Sequence, residues 1–428
     1  MRSLTEQRQR LQGFKKNIRL ASSSQDPAMR MIQTVIQRAE NRRADELAAA
    51  IKALKKEKTS SQTEKPFFHT LIIKPVGNRC NLQCRYCFNL PDAGIEDEGN
   101  SALTVMCENV LRKIIFEALN AGPECLHFVW HGGEPLLAGI SFFESAVSLQ
   151  KEMNLEGKTI NNSVQTNGTL INDQWISFFK RNDFSISISL DGPEAVHNRY
   201  RRYASGEGSF SYVQRAIQSL QDCAMNFGVI TVIAAHIPIT HQEIFHDFIG
   251  RGIYNFGISP CCCPGDMNIS PKDYADFSMG LFDVWLSGGL TGVQINPFED
   301  IVAGLFGYPS RLCWMRGICP MFISIELNGD VWPCCDRTLP SETYCWGNIL
   351  DMDLSFILKS RNAHDFLAAH DKRQSLCMDC QWAFLCQGGC VYNRVIHTGA
   401  VDGRDPLCPA YHEIFGHIAD RIDEAIFF

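Results

Sequence analysis

The sequence predicts an α/β protein built on a parallel sheet, either open and doubly wound or closed into a partial barrel, with a cysteine-rich region after it. Two observations carry this. Between residue 66 and about residue 300, short β-rich runs alternate with helical stretches, the pattern of β/α units in series. From residue 306 onward cysteines crowd and hydrophobic periodicity weakens, so the fold there should be pinned by metal more than by a large core. The division expected is therefore 1–65, 66–305 and 306–428.

Residues 1–65 read as a basic helical arm. Asp26-Pro27 offers an N-cap followed by Pro at the first helical position. Ile32, Val35, Ile36, Ala39, Leu47, Ile51 and Leu54 then largely follow helical spacing, and Thr59–Thr63 has linker composition. Such a helix would pack on the body or on a second copy, so self-association through the arm is one expectation.

The predicted strands are His69–Val76, Cys125–Trp130, Thr159–Gln165, Phe184–Leu190, Phe227–Ala234 and Tyr254–Pro260. Helices are expected between them, near Leu103–Leu119, Ser141–Met153, Asp173–Lys180, Tyr212–Cys223 and His241–Phe248. In a sheet of this kind chemistry gathers at the C-terminal ends of the strands.

Length and composition narrow the function. The chain has 428 residues, 45% hydrophobic and 20% charged, which suits two or three ordinary globular domains. No run approaches a membrane span and no N-terminal stretch resembles a signal peptide, which argues for a cytoplasmic protein without a membrane partner. The arm holds 15 Lys+Arg against 7 Asp+Glu, whereas the rest is acidic; an acidic body argues against nucleic acid as the main partner. Nineteen cysteines without a secretion signal favour metal ligation over a disulfide framework.

The motifs fall where the parallel sheet would place a site. After the first strand comes Cys80-x3-Cys84-x2-Cys87. Three thiolates on a four-iron cluster leave one iron without a protein ligand, an open position for substrate or cofactor; a zinc knuckle is the alternative for the triplet alone. The second strand ends in His131-Gly132-Gly133-Glu134-Pro135, where paired glycines permit close backbone approach and Glu134 could meet an ammonium group. The third ends in the polar turn Gln165-Thr166-Asn167-Gly168, the fourth in Ser187-Ile188-Ser189-Leu190-Asp191-Gly192, able to bind hydroxyls. His197–Arg201 follows, with arginines suited to clamping a carboxylate.

With these motifs in order, residues 70–265 resemble the radical S-adenosylmethionine (SAM) enzymes. The resemblance implies a partial (β/α)6 barrel in which Cys80, Cys84 and Cys87 hold a [4Fe–4S] cluster that chelates SAM. It also implies that Gly132–Pro135 bind the amino group of SAM, Ser189 its ribose and Arg201 its carboxylate, with Tyr86 and Ile230 flanking adenine. Thr166, Asn167 and Asp191 join the same pocket. The cluster then releases a 5′-deoxyadenosyl radical that takes hydrogen from substrate.

The second cysteine set, Cys313, Cys319, Cys334, Cys377, Cys380, Cys386, Cys390 and Cys408, resembles the SPASM domain of the same superfamily. Zinc ribbons are the competing reading of such spacing. The resemblance implies two auxiliary [4Fe–4S] clusters, Cys313, Cys319, Cys334 and Cys390 holding one and Cys377, Cys380, Cys386 and Cys408 the other, making three clusters in all. Of the remaining cysteines, Cys107, Cys125 and Cys223 are expected as small core residues. Cys261-Cys262-Cys263 closes the sixth strand, where a thiol, Cys261 above all, could contact substrate beside Asp266.

SPASM relatives of this length act on peptides or proteins. One expectation is a maturase that forms a C–C, thioether or ether cross-link in a ribosomal precursor peptide, served by a flavodoxin- or ferredoxin-type reductant. The alternative is an anaerobic sulfatase-maturating enzyme, which oxidises Cys or Ser to formylglycine with an Asp directly after the position of Cys334. Here Cys335 stands there and Asp336 comes one residue later, which would turn the carboxylate to the other face of a strand and weighs against that alternative. A zinc-rich scaffold or nucleic-acid adaptor is the non-enzymatic reading, and it has no use for the Gly132–Pro135 and Ser187–Gly192 motifs.

Overall fold

The computed structural model describes residues 26–57, 68, 70–87, 104–263, 265–317, 322–334 and 342–427. Strands β1 (Thr70–Ile73), β2 (Cys125–Trp130), β3 (Thr159–Thr166), β4 (Phe184–Ser189), β5 (Phe227–Ile233) and β6 (Asn255–Pro260) are each parallel to the next in chain order. Helices cross between them: α2 (Glu108–Ala121), α3 (Ile140–Met153), α4 (Asp173–Arg181), α5 (Glu194–Tyr200), α6 (Phe210–Asp222) and α7 (His241–Gly250) follow α1 (Pro27–Glu57) in the chain. This is the partial barrel. Its expected strands and most of its helices lie within a few residues of their predicted bounds.

Alternation along each strand separates the two faces of the sheet. In β4, Phe184, Ile186 and Ile188 are buried against the helical layer, while Ser185, Ser187 and Ser189 point to the inner bowl. In β2, Leu126, Phe128 and Trp130 are fully buried, and Trp130 meets Phe142 and Phe143 of α3 edge to face. The indole N–H of Trp130 donates to Asn162 Oδ1 at 3.0 Å, and Gln150 exchanges two hydrogen bonds with the same amide, so this polar trio is satisfied inside the apolar layer.

The sheet does not end at the predicted boundary. β7 (Gln294–Asn296) extends it beyond β6, after the unpredicted α8 (Pro271–Gly288). On the other edge β8 (Phe322–Ile325) pairs parallel with β1, and β9 (Asp330–Pro333) and β10 (Gly347–Asn348) continue antiparallel, giving the order β10-β9-β8-β1-β2-β3-β4-β5-β6-β7. Ile323, Ile325, Val331, Ile349 and Leu354 are buried there. The cysteine-rich region thus shares one continuous apolar core with the barrel; its strands are too short for a period-2 signal to show.

Helix α1 begins where predicted, with the Asp26 carboxylate accepting from Ala28 N at 3.1 Å. It is not a free arm. Met31, Ile32 and Val35 are buried, Arg38 pairs with Glu299, and Tyr308 donates to Glu40 at 2.7 Å. Its apolar face is therefore covered by the body of the same chain, by α8, α9 (Phe298–Leu305) and the C-terminal helix Cys408–Phe427. Residues 1–25 and the Thr59–Thr63 linker lie outside the described residues.

Of the three cysteines expected in the core, Cys223 is half-buried and packs against its edge, whereas Cys107 and Cys125 do not join it. Cys107 is exposed at the N-cap of α2, Cys223 caps the end of α6, and Cys125 opens β2 on the bowl face. At element ends the periodic pattern marks the backbone, and the side chain is free to face outward.

Candidate active site

The loop after β1 carries Cys80, Cys84 and Cys87, and the backbone of the Gly132–Pro135 turn packs directly upon it. Gly133 N donates to Gly77 O and Glu134 N to Arg79 O, each at 2.8 Å. A Cβ on Gly133 would stand 2.0 Å from Arg79 O, and one on Gly132 would stand 2.6 Å from Gly77 O, at a φ of +113°. The paired glycines are thus required by this loop-on-loop contact.

Glu134 ties the turns that follow β2 and β3. Its carboxylate is fully buried and turned inward, accepting from Thr166 Oγ1 (2.7 Å), Leu136 N (3.1 Å) and Asn167 N (2.7 Å). It braces the β2 and β3 turns together, and burial pushes it up to about 7. Asn167 in turn donates to Asn81 Oδ1 at 2.8 Å and lies 3.7 Å from Cys80 Sγ, so the β3 turn is tied to the triplet loop.

A second brace holds the other side. Asp191, fully buried, accepts from Arg201 Nε at 2.8 Å, from Val232 N at 3.1 Å and from the Tyr86 hydroxyl. The Arg201 guanidinium also lies 5.3 Å over the Tyr86 ring and beside the Cys84 thiol. It opposes the burial that raises that thiol to about 11. Below this set, Asp191 N donates to His197 Nδ1 at 3.3 Å, and Ser209 Oγ lies 2.9 Å from His197 Nε2 and 3.0 Å from Arg201 O. With Nδ1 accepting, the proton sits on Nε2, and burial lowers His197 to about 4. Ser189 accepts from Gln165 at 3.2 Å on the bowl face, and Ile230 is 36% exposed on β5 beside it.

The bowl is a cavity of about 480 Å³ lined by inward residues of β3–β7, among them Ser163, Ser185, Ser187, Ile230 and Ser259. Its far wall is aromatic: Trp314 and Tyr411, stacked at 4.7 Å. At the end of β6, Cys261 is 4% exposed, and the partly exposed member of the run is Cys263, not Cys261. Asp266 is exposed and faces Arg85 of the triplet loop at 3.8 Å.

A separate cavity of about 350 Å³ is lined by Cys377, Cys380, Cys386 and Cys408, with Trp382, Tyr411 and Phe415. Four thiols around one hollow, with Asp379, Arg404, Asp405 and His412 also on its lining, are a donor set that fits an iron–sulfur cluster. Tyr411 lines both cavities and so forms the wall between them. One buried carboxylate, Asp405, accepts from Cys390 N (2.7 Å) and Leu407 N (2.9 Å), fastening the backbone at Cys390 and just ahead of Cys408. Neither Asp405 nor the Trp314–Tyr411 wall stood out in the sequence. Cys313 opens a short helix next to that wall, and Cys334 follows β9 with a φ of +61°. Cys319, Cys335 and Asp336 lie outside the described residues.

Residues 75–247 match the radical SAM superfamily, and residues 319–381 match the SPASM iron–sulfur cluster-binding domain. Fold and site together define a radical SAM enzyme with a SPASM domain, and such enzymes carry [4Fe–4S] clusters and SAM and act on peptides or proteins. The chain is 31% identical over 363 residues to the cysteine-type anaerobic sulfatase-maturating enzyme of Clostridium perfringens, covering 82% of this chain and 97% of that one. It is also 31% identical over 386 residues to the serine-type enzyme of Bacteroides thetaiotaomicron, covering 84% and 91%. The solved structure of native anSMEcpe with bound AdoMet superposes with a TM-score of 0.75 at 29% identity, over 83% of this chain and 98% of that one. Streptococcus suis SuiB bound to S-adenosylmethionine shares the fold, with a TM-score of 0.58 at 17% identity over 85% and 82% of the two chains. The chain belongs to the family of the anaerobic sulfatase-maturating enzymes.

Proposed function

We propose that this chain oxidises one Cys or Ser side chain of a sulfatase-type protein to formylglycine. The alignment with cysteine- and serine-type maturating enzymes along nearly their whole length carries this reading. It favours formylglycine formation over the cross-linking chemistry that the peptide maturases suggested.

When bound, SAM and its cluster supply a 5′-deoxyadenosyl radical, and the further clusters supply an electron acceptor. Cys80, Cys84 and Cys87 are the residues to hold the first cluster, leaving one position open for SAM. Cys313, Cys319, Cys334 and Cys390 would hold one auxiliary cluster, and Cys377, Cys380, Cys386 and Cys408 the other. Gly132, Gly133 and Pro135 offer backbone to the amino group of SAM. Arg201, oriented by Asp191, offers its charge to the carboxylate. Thr166 and Asn167 keep the β3 turn in place, Ser189 is positioned for the ribose, and Tyr86 and Ile230 border the adenine side. The serine-lined bowl then receives an extended peptide segment, with Trp314 and Tyr411 behind it. A flavodoxin- or ferredoxin-type protein delivers electrons.

Cross-linking is kept as the second reading on one observation: Cys335, not Asp, follows Cys334 directly. The two are separated by tandem mass spectrometry of a sulfatase peptide, in Cys and Ser forms, turned over anaerobically by the reconstituted enzyme with SAM. An aldehyde confined to the single Cys or Ser, trapped by a hydrazine, supports formylglycine. Loss of two hydrogens shared between two residues that no longer fragment apart would replace it with cross-linking. An unmodified peptide despite SAM cleavage would remove sulfatases from the substrate class.

A further inference from the structure

The run Cys261-Cys262-Cys263 ends β6 at the mouth of the bowl and belongs to neither set of cluster cysteines. Residues two apart at a strand end present side chains to the same side. Here the two thiols meet: Cys261 Sγ lies 3.0 Å from Cys263 Sγ. The backbone around them is fixed. Cys261 N donates to Ile233 O at 2.9 Å, its carbonyl accepts from Ile269 N at 3.0 Å, and Cys262 O lies 3.1 Å from His397 Nε2. The contact is therefore built by the sheet edge and by the cysteine-rich region together.

The two sulfurs have different surroundings. Cys261 is buried, whereas Cys263 reaches solvent. The contact between the two sulfurs lowers the Cys263 thiol below its ordinary value and, together with burial, raises Cys261 well above it. An accessible thiol with thiolate character beside a buried partner is the arrangement of an attacking and a resolving cysteine.

We propose that Cys261 and Cys263 form a reversible dithiol–disulfide pair, a modification site at the mouth of the bowl that is oxidised by low-molecular-weight disulfides. The Cys263 thiolate attacks one sulfur of the small disulfide RSSR, forming a mixed disulfide and releasing RS⁻. That thiolate takes the Cys261 proton and leaves as RSH. The Cys261 sulfur then attacks the Cys263 sulfur, closing the internal bond and expelling the second RS⁻, which takes up the proton Cys263 had lost. Two protein thiols become one disulfide and RSSR becomes two RSH.

The test is anaerobic equilibration of the cluster-loaded enzyme with mixtures of reduced and oxidised glutathione, with its visible absorption followed to verify that the clusters persist. Free thiols are then blocked with N-ethylmaleimide and the peptide spanning residues 261–263 is read by mass spectrometry. The expected result is a form lacking two hydrogens and carrying a single maleimide, on Cys262, that grows as the mixture becomes more oxidising. Cys262→Ser should retain the bond, and Cys263→Ser should lose it. Three maleimides across the whole range would overturn the pair, as would a bond that persists in Cys263→Ser. The readout is independent of formylglycine formation, so the two proposals fail separately.

Discussion

The triplet loop and the auxiliary cavity are both built around cysteines, yet they are organised by opposite means. Around Cys80–Cys87 the protein supplies its own scaffold: Glu134 accepts three hydrogen bonds and Asp191 four, and they lock two strand-end turns and Arg201 in place. Around Cys377–Cys408 the thiols line a hollow of mixed apolar and polar side chains, and Asp405 fastens the backbone at Cys390 and Leu407. The first site is preorganised by charge and backbone. The second leaves its centre to the group it holds, as small metal-dependent folds do.

That contrast can be broken at either end. Cys84→Ala should have the largest effect: 5′-deoxyadenosine formation falls to background by chromatography, because a cluster ligand beside Arg201 is lost, while the braced loops keep the fold melting as before. Cys386→Ala should spare SAM cleavage and abolish product. It should also expose residues 373–408 to proteolysis, because that hollow loses what fills it; equal protection in wild type and variant would show that the second region is as preorganised as the first. Asp191→Asn leaves the buried Arg201 charge without its carboxylate and should cost about 3 kcal/mol in denaturant unfolding, with SAM binding weakened about 10–100-fold. The smallest effect is one of pH. His197 is held at about 4 in the fold against an ordinary 6.5, so its contribution is complete above 6.5 and is lost as pH falls toward 4. That contribution is at most about 3 kcal/mol, and His197→Gln should flatten the acid limb of the unfolding curve.

The difference between the regions also explains what was legible in the sequence. The barrel was readable because its short β-rich runs, such as Phe184–Ser189, alternate with helical stretches and because its site residues sit at strand ends in a fixed order. Roles were less legible than positions. Nothing in Gly132-Gly133-Glu134-Pro135 tells that the carboxylate turns inward, since that depends on Thr166 and Asn167, more than thirty residues away, donating to it. In the cysteine-rich region ligand spacing was visible, but β8 and β9 were not, each having only four residues. Trp314 and Tyr411 meet only after folding, so their shared wall has no local signature.

One consequence concerns synthesis. β1 is flanked by β2 on one side and β8 on the other, and β8 emerges roughly 250 residues later, a separation that slows folding through loop-closure entropy. During translation the first strand therefore has one free edge while most of the barrel is already made. Helix α1, whose contacts include the helix Cys408–Phe427, cannot complete its packing until that helix has been made, although it precedes the barrel in the chain. Only β8 closes that edge, so a nascent or truncated barrel that lacks it carries an open strand edge close to the very loop that must take up iron.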